Sequence, residues 1–220
     1  MCGFPLVDKH PKYLGLPTLV GRSKKQVFGA IVDRVDNLIC LWSGRRISKA
    51  GKEVLVKSVA QAIPSYAMSL FKFSETLIDQ IHSRLANFWW GSHEGRHNSH
   101  WMSWEKLCVS KFCSGLGFRN LKWFNDALLV KQGWCLISHP NTLFSKVMRA
   151  KYFSHSDFLH AQLGPRPSFM WRSIWGAKSL IDLGCVWRIA DGHNVKIWKD
   201  PWLAEGFNHK VSSPVVPGFE

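Results

Sequence analysis

The apolar residues of the chain recur at steps of three and four, which is the spacing of one face of an α-helix. Ser23 and Gln26 have the spacing of a capping box, so the first helix is predicted to begin at Ser23. Its apolar face is predicted to contain Val27, Ile31, Val35, Leu38 and Trp42. Because this pattern repeats in later segments, the sequence predicts a mainly α fold.

Five further segments carry helix signals. Ser48 is a favourable N-cap for a second helix, and a third helix is predicted to begin near Ser74 and to end at Gly91. The buried faces of these two helices are predicted to be Leu55, Val59 and Ala62, and Ile78, Ile81, Leu85 and Phe88. Three more helices are predicted over residues 124–137, 142–152 and 168–181.

Two short β-hairpins are predicted, one near each end of the chain. Gly and Pro residues around 13–17 favour a turn between extended segments. Near the C-terminus, residues 185–189 alternate in polarity, Asp191 and Gly192 form a hairpin signal, and 195–198 is the predicted return strand. The expected fold class is therefore a helical bundle followed by a second helical region, with these two hairpins.

This pattern divides the chain of 220 residues into five parts. The hairpin region is 1–22, the helical bundle is 23–91, and a loop-rich linker covers 92–122. The second helical region with its hairpin is 123–203, and a tail rich in Gly and Pro follows over 204–220.

The chain is strongly basic. It has 29 Lys and Arg against 15 Asp and Glu, a formal net charge of +14. Such a field attracts polyanions, so nucleic acid is the favoured partner, with an acidic lipid surface, an acidic protein or no polyanion as alternatives. No run of 18 apolar residues is present, so no membrane span is expected.

The basic residues cluster at two predicted helix starts. Lys24 and Lys25 follow Ser23, and a second group surrounds Ser48. That group is Arg45, Arg46, Lys49, Lys52 and Lys57. Together with the free N–H groups of a helix start, it is suited to phosphates, although a solvated helix face is the simpler alternative. A second basic stretch contains Lys146, Arg149 and Lys151.

One string has the form of a zinc-protease motif. His93, Glu94 and His97 match HExxH, which requires a helix to bring both imidazoles to one metal. The string contains Gly95 and lies in a polar segment, so a solvated loop is the favoured interpretation. The alternatives are a metalloenzyme that uses His93 and His97, or a structural metal site. The residues considered for that structural site are His93, His97, His100, Cys108 and Cys113.

Other catalytic signatures are missing from the sequence. No nucleophile elbow and no P-loop occur, and no two acidic residues are adjacent, whereas polymerases hold two magnesium ions with closely spaced carboxylates. The six cysteines are scattered without a CxxC pair, which favours reduced thiols. Most of the twelve Trp residues stand at amphipathic spacing and are predicted to form core.

Short motifs along the chain resemble, in the same order, the region that follows the catalytic palm in plant non-LTR (LINE-type) retrotransposon reverse transcriptases. They include 13–17 (YLGLP), 48–57 (SKAGKEVLVK), 62–68 (AIPSYAM), 88–91 (FWWG), 115–118 (GLGF), 131–134 (KQGW), 171–174 (WRSI) and 197–202 (IWKDPW). The resemblance covers roughly residues 8–203. One departure is Ser114-Gly115, where the family usually has two glycines.

The resemblance implies a primer-grip hairpin, a thumb over 23–91 and a connection region over 123–203. Such a thumb would hold an RNA/DNA hybrid through its phosphates without reading sequence. The implied nucleic-acid-binding residues are Tyr13, Leu14, Gly15, Lys24, Lys25, Arg45, Arg46, Lys49, Lys52 and Lys57. In the intact enzyme a palm domain would be a further partner, and zinc-binding and RNase H segments would follow.

The resemblance also implies what this chain lacks. The family's two successive Asp residues are expected upstream of Tyr13, so we expect no catalytic residue, no bound metal and no polymerase activity from this chain alone. Magnesium would be held by the palm domain. Two alternatives stay open: a domesticated basic helical interaction module, and a retroelement remnant without function. An intracellular location is expected, with nucleus and organelle both open.

Overall fold

The computed structural model of the chain describes residues 12–13, 16–17, 24–91, 98–186, 188–189, 197–198, 201–203 and 209–214. The described residues form nine α-helices, so the mainly α prediction is confirmed. The helices are α1 (Lys24–Ser43), α2 (Lys49–Ser58), α3 (Ser65–Met68), α4 (Glu75–Trp90), α5 (Trp104–Cys108), α6 (Leu121–Ser138), α7 (Leu143–Tyr152), α8 (Phe169–Gly176) and α9 (Lys178–Gly184). Single 3-10 turns lie at Ala60–Ala62, Lys111–Cys113 and Phe158–His160. The strands β1 (Lys12–Tyr13) and β2 (Leu16–Pro17) pair antiparallel, with Tyr13 opposite Leu16.

The hairpin predicted over 185–198 is not formed by the residues that the structure describes there. Val186 and Ile189 lie outside any strand and are exposed, and Ile197 lies in a turn with Trp198. Alternating polarity favours a strand only where one face can be buried, and the described part of this segment has no such face. Residues 187 and 190–196 lie outside the described part of the chain.

Helices α1 and α4 lie side by side and run in the same direction. Phe28 near the start of α1 contacts Phe73 just before α4, with ring centroids 4.8 Å apart. At the other end, Trp42 contacts Phe88 at 5.5 Å. The C-terminal ends of the two helices therefore meet at one end of the bundle.

The buried face of α1 is shifted from its predicted position. Phe28, Val32 and Val35 are buried, whereas Ile31 and Leu38 are only half-buried. The predicted residues and the buried residues both have helical spacing, so spacing alone does not distinguish them. The buried side is the one that carries Phe28, which contacts Phe71 and Phe73.

The predicted buried face of α2 is confirmed only at Leu55, which is half-buried and packs against the hydrophobic core. Val59 is 37% exposed and Ala62 is exposed, so these two predictions are wrong. The fully buried residues are Val56 and Ala60. Apolar residues occupy most sides of this helix, so their spacing alone does not select one side. The start of the helix is confirmed, because Ser48 Oγ accepts a hydrogen bond from the Gly51 N–H at 3.2 Å.

Helix α4 agrees with its prediction. Ile78, Ile81, Leu85 and Phe88 are all buried. Gly91 ends the helix in the left-handed conformation, with φ of 80°, which favours glycine. Its four predicted core positions place α4 at the centre of the first hydrophobic core, between α1 and α2.

The segment between α4 and α6 contributes to the same core. Trp104, Leu107 and Phe118 are buried there, and the Trp104 and Phe118 rings stack with centroids 5.1 Å apart. Ser114 has φ of 63°, a left-handed conformation that favours glycine. A Cβ on Gly115 would come within 2.0 Å of the Val109 carbonyl oxygen, so glycine is required there.

A second hydrophobic core lies between α6 and helices α7, α8 and α9. Its centre is Trp171 in α8, which is fully buried. Ser168 caps α8, because its Oγ accepts a hydrogen bond from the Trp171 N–H at 3.2 Å. Helix α6 contacts both cores, since Leu121 belongs to the first and Leu129 to the second.

Buried polar side chains join the first core to the start of α6. Gln61 forms two hydrogen bonds with the backbone of Arg119, at 3.0 Å and 3.2 Å. His82 Nε2 accepts a hydrogen bond from the Leu121 N–H at 3.1 Å, which is the first backbone N–H of α6. A helix start has unpaired N–H groups, so His82 acts as a cap from another helix.

The free energy of unfolding is expected to fall in acid because of His82. Burial lowers the pKa of His82 from 6.5 to about 4, against smaller opposing effects of Asp79 and Glu105. The unfolded state therefore binds a proton below pH 6.5 that the folded state takes up only near pH 4. The contribution of neutral His82 to the free energy of unfolding should be fully present above about pH 6.5. The free energy of unfolding should fall by roughly 2–3 kcal/mol between pH 7 and pH 4.

Urea unfolding at several pH values measures this effect. His82→Gln keeps an acceptor for the Leu121 N–H but cannot titrate, so its free energy of unfolding should depend less on pH than that of the wild type. His155→Gln alters an exposed imidazole and serves as the matched control. Equal pH dependence in the wild type and in His82→Gln would contradict the assignment.

Candidate nucleic-acid interface

The chain turns at the end of the bundle where the C-terminal ends of α1 and α4 meet. Helix α1 ends at Ser43, and α2 begins six residues later at Lys49. We call Arg45, Arg46, Lys49 and Lys52, which lie in this turn and the first turn of α2, the basic corner. The structure thus brings together four of the predicted phosphate-binding residues.

The two lysines of the basic corner contact the end of α4. Lys49 Nζ donates a hydrogen bond to the Trp89 carbonyl oxygen at 2.9 Å, and Lys52 Nζ donates to that of Phe88, also at 2.9 Å. Each ammonium also lies over a ring, Lys49 at 4.8 Å from the Trp89 centroid and Lys52 at 5.0 Å from that of Phe88. The C-terminal end of a helix carries a partial negative charge on its unpaired carbonyl groups, so these cations stabilise the C-terminus of α4.

This structural role of the two lysines was missed by the sequence reasoning. The contacts span 40 and 36 residues along the chain. Partial burial, and then repulsion by Lys49, lower the pKa of Lys52. An added anion at the corner would favour the charged form of Lys52.

The two arginines of the basic corner are exposed and have no carboxylate partner among the described residues. Arg45 is held by its backbone, because its N–H donates to the Trp42 carbonyl at 3.0 Å. Guanidinium groups bind phosphate with two parallel N–H donors. Arg45 and Arg46 are therefore the residues of the corner whose side chains are available to a polyanion.

Lys57 has a different environment from the rest of the predicted group. Its Nζ contacts Glu53 at 2.7 Å and donates to the Leu116 carbonyl oxygen at 2.6 Å. Lys111 also pairs with Glu53, at 2.6 Å. Hydrogen bonds from Lys111, and next from Lys57, lower the pKa of Glu53. This carboxylate therefore stays ionised and remains paired with Lys57.

The other predicted residues lie away from the basic corner or outside the described residues. Lys24 and Lys25 form the start of α1, and a helix of 20 residues is about 30 Å long, so they lie at its opposite end from Arg45. Tyr13 lies in β1. Leu14 and Gly15 lie outside the described residues. The structure therefore places Lys24 and Lys25 away from the basic corner and describes no contact between Tyr13 and the corner.

The described residues contain no group of three metal-ligating side chains. Burial, with a smaller effect of Glu105, raises the pKa of Cys108 to about 12, so this thiol stays protonated and is a poor metal ligand. His100 is exposed and stacks on Trp90 at 6.1 Å. The HExxH residues His93 and His97 lie outside the described part of the chain.

Two proteins of Arabidopsis thaliana are similar to this chain. One, named "Uncharacterized mitochondrial protein", is 43% identical over 145 residues, which are 66% of this chain and 94% of that protein. This chain belongs to the family of that mitochondrial protein. The similarity covers nearly all of the relative and about two thirds of this chain.

The second relative carries the name "Putative ribonuclease H protein" and is 30% identical over 194 residues. The match covers 86% of this chain but only 31% of that protein, so the chain spans less than a third of its length. No protein-family model matches the chain, and no solved structure matches it. In the described part of the chain, no helix is both long and apolar enough to cross a membrane.

Proposed function

We propose that this chain derives from a plant LINE-type retroelement and corresponds to the thumb and connection region of its reverse transcriptase. In that role it binds the phosphate backbone of an RNA/DNA hybrid at the basic corner and performs no polymerase chemistry itself. Both relatives come from a plant, and the name of the second is that of an enzyme acting on RNA, which supports this origin.

The observation that carries the proposal is the arrangement of charge at the basic corner. Two exposed arginines without a described carboxylate partner lie beside two lysines that are anchored to the end of α4. Anchoring fixes the direction of α2 against the bundle, so the two lysines lie at defined positions before a ligand arrives. A group of four cations at one corner suits a backbone of repeated phosphates, whose recognition does not depend on base sequence.

The role proposed for the chain is positioning. In the intact enzyme the thumb would hold the duplex, and the carboxylates that bind magnesium for nucleotide transfer would lie in another domain. The primer-grip role of Tyr13, Leu14 and Gly15, and phosphate contacts by Lys24 and Lys25, belong to the same proposal. Lys57 is the least suited of the proposed residues, because Glu53 and the Leu116 carbonyl already bind its ammonium.

The proposal predicts binding that weakens steeply with salt. Each phosphate contact contributes about 0.9 to the negative slope of log affinity against log salt concentration. Arg45→Gln combined with Arg46→Gln should therefore reduce that slope by about 2. Fluorescence anisotropy with a labelled RNA/DNA hybrid, measured between 50 and 300 mM KCl, determines the slope for both proteins.

A matched control separates a local interface from the effect of net charge. Arg166→Gln with Arg172→Gln removes the same charge from two exposed arginines near α8. This control should keep the wild-type slope. If both double variants lower the slope equally, binding reflects overall charge and the basic corner is not an interface. Absence of hybrid binding at 50 mM KCl would contradict the proposed function altogether.

One observation favours a second candidate, a domesticated basic module that acts in an organelle. The match covers 94% of the mitochondrial relative but only 31% of the second relative. The mitochondrial relative therefore has little sequence beyond the region that it shares with this chain. A module of this kind would bind a protein partner rather than a hybrid. In the same titration it would show no hybrid binding at low salt, which distinguishes it from the first proposal.

A further inference from the structure

Helix α6 buries one side against both cores and presents the other to solvent. Its outward residues are Trp123, Ala127, Lys131, Trp134 and Ser138, all of which are exposed. At 100° per residue, Trp134 lies about 20° around the helix from Trp123, and the rise between them is about 17 Å. We call these five residues the α6 outer face.

The two indoles of the α6 outer face are unusually exposed for their size. Trp123 is 70% exposed and Trp134 is 49% exposed. Neither makes an aromatic ring contact with another described residue, unlike Trp89, Trp104 and Trp171 in the cores. Large aromatic side chains on one side of a rigid helix, with a small alanine between them, mark an interaction site.

The charge of this face indicates the class of partner. Along the helix axis Lys131 lies between Trp123 and Trp134, and around the helix it lies about 80° from the first and about 60° from the second. The α6 outer face contains no carboxylate. Asp126 lies at its edge and is paired with Lys72. A basic side chain beside two exposed rings on one helix fits a ligand that carries both planar groups and negative charges. Single-stranded nucleic acid has that structure, because its bases are free to stack while its phosphates bind cations.

We propose that the α6 outer face binds single-stranded nucleic acid, with bases stacked on Trp123 and Trp134 and a phosphate at Lys131. A duplex does not fit this surface, since each of its bases is already stacked between neighbours. The inference rests on the proposed function in taking nucleic acid as the partner, but it uses a different helix from the basic corner. The chain would thus hold a duplex at one surface and an unpaired strand at another.

Anisotropy titrations with a labelled oligo(dT) strand test the inference. Trp123→Ala and Trp134→Ala should each weaken strand binding by about tenfold or more, since stacking contributes about 1–3 kcal/mol per base. Replacement of both residues by Phe should restore most of the affinity, because Phe also presents a ring face. Trp101→Ala removes an exposed indole from the loop before α5 and should leave strand binding unchanged.

The ligand supplies the second control. A strand of equal length made of abasic nucleotides keeps the phosphates and lacks the bases, so it should bind the wild type as weakly as oligo(dT) binds the double alanine variant. Equal affinity of the wild type for both strands would overturn the inference, as would unchanged oligo(dT) affinity in the double alanine variant. Thermal unfolding monitored by circular dichroism checks that the variant is folded.

The hybrid titration separates this inference from the proposed function. The α6 variants should retain hybrid binding at the basic corner, and the Arg45 and Arg46 variants should retain base-dependent strand binding. If the wild type prefers oligo(dT) to the abasic strand but does not bind the hybrid, the basic corner is contradicted and the α6 outer face is not. If the wild type binds the hybrid but has equal affinity for oligo(dT) and the abasic strand, only the α6 outer face is contradicted.

Discussion

Trp171→Ala should lower the free energy of unfolding by about 3–5 kcal/mol, as truncation of a large aromatic residue in a core does. The Trp171 ring stacks on Tyr152 with centroids 4.7 Å apart and on Phe153 at 5.6 Å, and it meets the edge of Phe158 at 6.0 Å. Its indole N–H donates to the Leu163 carbonyl oxygen at 3.1 Å. Alanine would leave a cavity lined by these rings and an unpaired carbonyl.

Guanidinium unfolding measures this loss, and Trp123→Ala is its control. Trp123 is 70% exposed, so its truncation should change the free energy of unfolding by less than about 0.5 kcal/mol. A loss below about 1 kcal/mol for Trp171→Ala would mean that the second core closes around the missing ring. Such a result would contradict the central packing role of Trp171.

Asn125→Ala should have an effect of similar size, about 3–5 kcal/mol, for a different reason. Asn125 is fully buried in α6, and its Oδ1 accepts a hydrogen bond from the Phe73 N–H at 2.8 Å. Its Nδ2 donates to the carbonyl oxygens of Met68 at 2.7 Å and Phe71 at 3.0 Å. Alanine would leave three buried backbone groups without this hydrogen-bond partner. Each unsatisfied buried group costs about 1–3 kcal/mol.

Asn37→Ala is the matched control, because Asn37 is exposed in α1. Alanine has the higher helix propensity, so this control should be neutral or stabilising by up to about 0.7 kcal/mol. Amide hydrogen exchange adds a local measurement. The Phe73 amide should lose protection in Asn125→Ala, and retention of its protection would show that this hydrogen bond does not hold the segment.

The dual role of the lysines at the basic corner decides which variants test the interface. Lys49 and Lys52 bind the carbonyl end of α4, so their removal would alter the bundle as well as any bound phosphate. Arg45 and Arg46 extend from the same corner without such contacts among the described residues. Their replacement therefore changes the charge of the surface with little change in packing.

The local features of the fold could be predicted from the sequence. The serine caps at Ser48 and Ser168 bond to backbone groups three residues away, and Gly91 ends α4 through its own φ angle. These interactions form within one turn of helix, so neighbouring residues determine them. The four buried positions of α4 were also predictable, because most apolar residues of that helix lie on one side.

Tertiary structure decided the features that join distant segments. Apolar residues lie on several sides of α1 and α2, so only their contacts with other helices selected Phe28 and Val56 for the core. The sequence indicated the basic cluster, but the parallel arrangement of α1 and α4 placed Lys49 and Lys52 at a helix end and left Arg45 and Arg46 in solvent. The physical reason is that spacing along the chain specifies a helix, whereas the choice of inward face depends on packing between segments far apart in sequence.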